Sequence, residues 1–70
     1  MDSKQGIVAE AKGFRDLLTS KLVMRARLEG DDPPWWYSIY GPTPAVGEVV
    51  RVVLSIGDDP YIDTSVRWPA

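Results

Sequence analysis

The chain has 70 residues, enough for a single domain over positions 1–70, with no cysteine, no histidine and a formal net charge of −2. That composition excludes disulfide staples, withholds the usual ligands of a structural zinc site, and disfavours both a strongly basic nucleic-acid binder and an acidic DNA mimic. A domain this small buries only roughly 60% of the surface its unfolded chain exposes, so a homodimer, through paired edge strands or a shared apolar face, is an expected source of further burial.

The opening residues, Met1-Asp2-Ser3-Lys4-Gln5, lack the apolar stretch of a signal peptide, and no apolar run approaches the ~18 residues of a membrane span, so a cytoplasmic protein is expected, with no membrane contact. From residue 3 to about 20, Ile7, Ala11, Phe14 and Leu18 recur at helical spacing, with Val8 and Leu17 widening the stripe, which predicts an amphipathic helix. Asp2 and Gln5 stand three apart, as in a capping box. Gly6 and Gly13 oppose this reading, each costing about 1 kcal/mol relative to alanine inside a helix.

Residues 21–29 change to alternation, with Leu22, Met24, Ala26 and Leu28 on one side and Val23, Arg25, Arg27 and Glu29 on the other, which predicts a strand. Leu18, Leu22 and Ala26 also fit a helical row, so a helix running on to Glu29 over a three-stranded sheet is the alternative. The tetrapeptide Gly30-Asp31-Asp32-Pro33 then breaks the pattern. Residues 35–40 are aromatic-rich and read as a short strand, ended by Gly41-Pro42-Thr43-Pro44.

Residues 48–56 form a β-branched run, Gly57-Asp58-Asp59-Pro60 repeats the earlier tetrapeptide, and residues 61–68 alternate again. The predicted fold is therefore α+β, an N-terminal helix packed on a four-stranded antiparallel meander sheet. The repeated tetrapeptide reads as turn chemistry, since glycine, aspartate and proline are the residues turns demand. In a meander both turns fall at one end of the sheet.

Residues 44–52, Pro-Ala-Val-Gly-Glu-Val-Val-Arg-Val, resemble the loop-to-strand passage of SH3-like barrels, where a glycine precedes an alternating apolar strand. The resemblance implies a small barrel as a further alternative architecture. It carries over no functional residues, because the order of elements departs from the usual barrel.

Catalysis is not expected, because there is no histidine to shuttle protons and no cysteine nucleophile. Ser20, Ser38, Ser55 and Ser65 have no visible activating base, and carboxylates at turn tips keep ordinary acidity. Asp31, Asp32, Asp58 and Asp59, with Asp63 nearby, suggest an oxygen cluster, but two meander turns ~10 Å apart are too widely spaced for one ion to bridge. No metal and no cofactor is expected, and the four turn aspartates are read as an acidic rim.

The aromatic cluster carries the stronger signal. Adjacent strand residues face opposite ways, so Trp35 and Trp36 cannot enter the same core, and tryptophan and tyrosine are enriched at binding hot spots. With the apolar sides of all four strands inward, Arg25, Arg27, Arg51 and Arg67 face outward with Trp36, Tyr40 and Tyr61. Such a face suits a protein partner, and the blander reading is a solvated face of cation–π pairs with Glu29 and Asp63 as cross-strand partners. The expectation is a small non-enzymatic protein-binding accessory module of the kind phages and mobile elements encode. A single-stranded nucleic-acid binder using the same face is the alternative.

Overall fold

The structure, a computed structural model, describes residues 2–65. It contains five strands: β1 (Asp2–Arg15), β2 (Leu22–Leu28), β3 (Tyr37–Tyr40), β4 (Val49–Leu54) and β5 (Tyr61–Asp63). They close into a barrel in the order β1-β2-β3-β5-β4. Among the described residues there is no helix. The α+β prediction is overturned, as is its longer-helix variant, and the small-barrel alternative is the architecture that fits.

The physical reason lies in β1. Its first half, Asp2 to Ile7, pairs with β4, and its second half, Val8 to Arg15, pairs with β2. At the junction Val8 opposes Leu28 while Glu10 opposes Arg27, leaving Ala9 as the extra residue of a β-bulge. Gly6 and Val8 face the interior before the bulge, opposite Val50 and Leu28, and Ala11 and Gly13 face it afterwards, opposite Ala26 and Met24. The bulge thus converts a spacing of two into a step of three between the inward Val8 and Ala11. The rest of the predicted stripe is not an inward face at all, since Ile7, Leu17 and Leu18 are exposed.

Gly13, which weakened the helix, has a clear use in this strand. A β-carbon there would come within 3.1 Å of three Leu22 side-chain carbons, so its absence leaves room for the Leu22 side chain to lie across the strand. Backbone hydrogen bonds from Val8 N to Glu48 O (3.0 Å), Gly47 N to Val8 O (2.8 Å) and Glu29 N to Ile7 O (2.8 Å) tie neighbouring loops to the bulge.

The meander is overturned beyond β3. The chain leaves β3 to place β4 beside β1, and β5 then inserts antiparallel to β4 and parallel to β3. The run β4-β1-β2-β3 is a Greek key, and β5 closes it. Because β3 and β5 are parallel neighbours, the two Gly-Asp-Asp-Pro turns that feed them lie at the same end of the barrel. Gly30 and Gly57 have φ of +83° and +87° with open space around them, so both turns need glycine for its left-handed backbone rather than its size.

Val8, Ala26, Leu28, Tyr37, Val50, Val52 and Ile62 form the buried core, with Ile39 and Leu54 packed against it. β3 starts at Tyr37, so Trp35 and Trp36 precede the strand rather than belonging to it. β5 ends at Asp63, and the remainder of the predicted strand over 61–68, with Arg67 and Trp68, lies outside the described residues. Among the described residues no helix is long and apolar enough to cross a membrane.

Candidate functional site

Closure of the sheet changes what a surface can be. A meander leaves one open face, whereas a barrel turns its outer side chains all round a cylinder and leaves no free strand edge. The edge-strand argument for a homodimer therefore lapses. The outward residues expected on one face divide into separate groups.

The first group lies across β1, β2 and the approach to β3. Arg25 stands opposite Lys12 on β1 and Ser38 on β3. Phe14, two residues along from Lys12 and on the same outer side, packs edge-to-face with Trp36 at a ring separation of 5.2 Å. The Lys12 ammonium and the Arg25 guanidinium sit 5.5 and 5.9 Å from the Phe14 ring centre. Arg27 is held by Glu10 at 3.4 Å across the strand pair, and both side chains are substantially exposed. Trp35, next to this group in sequence, is 49% exposed.

The hairpin joining β1 to β2 extends this face. Asp16 shapes its turn: Leu18 N donates to Asp16 Oδ1 (2.9 Å) and Ser20 N to Asp16 O (2.7 Å), with Ser20 at a φ of +59°. The turn exposes Leu17 and Leu18 to 89% and 96%, with Leu22 at its base also exposed. Cations flank the leucines. Residues 10–27 hold Lys12, Arg15, Lys21, Arg25 and Arg27 against Glu10 and Asp16, a formal charge of +3, which leaves −5 for the rest of a chain of net charge −2.

The second group surrounds the β4–β5 turn. Tyr40 and Tyr61 meet edge-to-face at 4.7 Å, with their planes perpendicular. Together with Ser38, Asp58, Asp59 and Pro60 they line a half-open cleft of about 340 Å³. The expected acidic rim divides in the same way. Asp58 and Asp59 border the cleft and Asp32 is exposed, but Asp31 accepts a hydrogen bond from the hydroxyl of buried Tyr37 at 3.1 Å. Burial, reinforced by that carboxylate, raises the Tyr37 phenol above its ordinary acidity range.

Arg51 stands in the strand row of the second group. It faces Asp63 across β4 and β5, Asp63 in turn faces Tyr40 across β5 and β3, and the Arg51 Nε is buried with no hydrogen-bond partner among the described residues. Asp63 is held below the usual carboxylate range by hydrogen bonds from the Ser65 hydroxyl and backbone N–H, with Arg51 adding a smaller attraction. Arg67 lies outside the described residues. Among the described residues no three acidic side chains converge as a metal site would require.

Sequence reasoning missed Phe14, Lys12, Leu17 and Leu18 as surface groups because it assigned them to a helix. The available signal was the pair of glycines in that stretch, which fit a curved strand better than a helix. No family model matches the chain, and neither does any curated protein or solved structure.

Proposed function

We propose that this protein is a non-enzymatic binding module that engages a protein partner through the outer β1–β2 face and its hairpin tip. The observation that carries the reading is the Phe14–Trp36 pair, two large rings packed together outside the barrel, with Lys12 and Arg25 over the Phe14 ring. Aromatic and arginine side chains are those that dominate binding energy at interfaces. The exposed Leu17, Leu18 and Leu22 extend the patch into an apolar finger ringed by cations, the chemistry of a contact with an acidic, partly apolar protein surface. A small cytoplasmic accessory protein, encoded by a phage or mobile element, is a setting that suits so small a chain without histidine or cysteine.

One observation favours single-stranded nucleic acid as the second reading. Five-stranded Greek-key barrels of the OB type bind oligonucleotides on the face of strands 2 and 3, and Arg25, Arg27 and Tyr40 lie on that side here. This is an analogy of fold, which does not by itself carry function. Asp58 and Asp59 beside Tyr40 oppose it, since they repel a phosphate backbone.

The test is retention of a partner from lysate of the host by tagged protein, compared with the Leu17→Ser/Leu18→Ser and Trp36→Ala variants. Both variants are expected to remain folded by circular dichroism and to lose the partner. Retention of every partner by both removes this face from consideration. A fluorescence titration with single-stranded oligonucleotide separates the second reading, which requires binding at low salt that falls steeply as salt rises.

A further inference from the structure

We infer that the cleft between β3 and the β4–β5 turn is a receptor site for a lysine side chain presented by a basic peptide segment. The cleft, of about 340 Å³, is lined by Ser38, Tyr40, Asp58, Asp59, Pro60 and Tyr61. That volume lies at the lower end of the ~300–1,000 Å³ typical of ligand pockets, room for one long side chain rather than a large cofactor.

The lining selects a cation in two independent ways. Asp58 and Asp59 supply negative charge, and among the described residues neither is held in an ion pair, the Arg27–Glu10 contact lying elsewhere on the barrel. Tyr40 and Tyr61 supply aromatic surface, and the negative face of an aromatic ring attracts an ammonium group. Their hydroxyls and that of Ser38 add acceptors for its three N–H donors.

Two of the chain's own cations stand in strand rows that reach the cleft, and both are engaged elsewhere. Arg25 is the strand partner of Ser38, yet its guanidinium lies over the Phe14 ring at 5.9 Å, and Arg51 is in the row of Tyr40 but faces Asp63 and attracts its carboxylate. Two carboxylates without a third ligand do not make a cage for a hard cation, and the same carboxylates repel phosphate.

Ring geometry distinguishes lysine from arginine. The two tyrosine rings pack edge-to-face at 90° with 4.7 Å between their centres, so they leave no parallel slot for a flat group between them. A planar guanidinium gains most from being sandwiched or stacked flat, whereas a compact ammonium on a slender stem needs only one exposed ring face and the neighbouring carboxylates. The turn holds this arrangement through Gly57, whose φ of +87° lets the chain reverse immediately before the two aspartates.

The site is separate from the β1–β2 face, and the test keeps the two apart. The probes are acetyl-(Gly-Lys)4-amide, its arginine counterpart and its Nε-acetyl-lysine counterpart, each titrated into 15N-labelled full-length protein at low salt. The lysine peptide is expected to shift the amide signals of Ser38, Asp58, Asp59 and Tyr61 saturably, the arginine peptide to bind more weakly, and the acetylated peptide to produce no shifts. Asp58→Asn with Asp59→Asn is expected to weaken binding by about tenfold or more. Tyr40→Ala, at a position already 60% exposed, is expected to weaken it without unfolding the barrel. Leu17→Ser/Leu18→Ser, which removes the exposed apolar side chains of the hairpin tip, is expected to leave lysine-peptide binding unchanged. The assignment is overturned if the acetylated peptide binds equally, if shifts centre on Glu29, Asp32 or Glu48 instead, or if neither cleft variant weakens binding.

Discussion

A β-carbon on Gly6 would stand 2.6 Å from Cδ1 of Leu28, so the side chain that fills this part of the barrel interior occupies the place where residue 6 would carry its own. Leu28 is only 2% exposed and belongs to the core cluster. The contact joins the first half of β1 to the end of β2 at the bulge, where one strand passes from one partner to the other.

Gly6→Ala is therefore expected to destabilise the protein by about 1–2 kcal/mol, because a methyl group forced into a filled core displaces Leu28. Urea denaturation measures it as a lower midpoint at unchanged slope. Combining it with Leu28→Val should recover part of the loss, and purely additive effects of the two changes would show that the residues do not share this space.

Gly41→Ala is expected to cost more than Gly57→Ala. Gly41 has a φ of +115°, and a β-carbon there would lie 2.6 Å from Ser65 N and 2.9 Å from Thr64 C, which are backbone atoms that cannot swing aside. Gly57 has only its left-handed φ to lose, about 1–2 kcal/mol for a non-glycine residue. The Gly41 change also disturbs the bonds from Thr64 N to Tyr40 O (2.9 Å) and from Thr64 Oγ1 to Pro42 O (2.6 Å). Equal thermal midpoints for the two variants would contradict this ordering.

Tyr37 should make the protein sensitive to alkali. Its phenol is raised by burial and by Asp31 above the ordinary 10.0. The folded state therefore keeps its proton in a range where the unfolded chain has released it. The stabilisation is whole below pH 10.0 and is lost as pH rises through the higher folded value. Tyr37→Phe should remove this alkaline decline, while losing about 0.5–1.5 kcal/mol at neutral pH with the hydrogen bond to Asp31. An unchanged alkaline profile in the variant would rule out Tyr37 as the source.

Asp63 acts in the opposite direction. The Ser65 hydroxyl and N–H, and to a smaller degree Arg51, lower its pKa below 3.8. Its contribution is present above pH 3.8 and is lost as pH falls through the lower folded value. Asp63→Asn should flatten stability in that acid range, and Ser65→Ala should do so in part. Identical acid unfolding curves for wild type and Asp63→Asn would refute the linkage.

Much of the second half of the fold was legible because its signals are local. The β-branched run over 48–56, which contains β4 (Val49–Leu54), and the two glycine-led turns mark strand and break without reference to any partner. Val50, Val52 and Ile62 can be read as inward from alternation, whereas alternation alone allows two registers for residues 35–40 and the structure decides for Tyr37 and Ile39 inward. The candidate surface was less legible. Tyr40 and Tyr61 were singled out, but only the parallel pairing of β3 with β5 brings them to 4.7 Å and places Asp58 and Asp59 beside them. Arg51 was grouped with Arg25 and Arg27 because a meander has one outer face, and barrel closure carries β4 round to the far side of β1 and β5.

By itself the sequence determined the turns, the alternation of β2 and β4, the absence of histidine and cysteine chemistry, and the concentration of positive charge between residues 10 and 27. Those are properties of single residues and near neighbours. The conformation of residues 3–15 was decided by tertiary structure, because one strand pairs with both β4 and β2 across a bulge at Ala9 while apolar residues such as Ile7 stay outside, and only Leu28 and Leu22 explain why Gly6 and Gly13 bear no side chain. Closure of the barrel was decided there too. Pairing β5 with both β3 and β4 depends on contacts between distant segments, and those contacts carry no local signature.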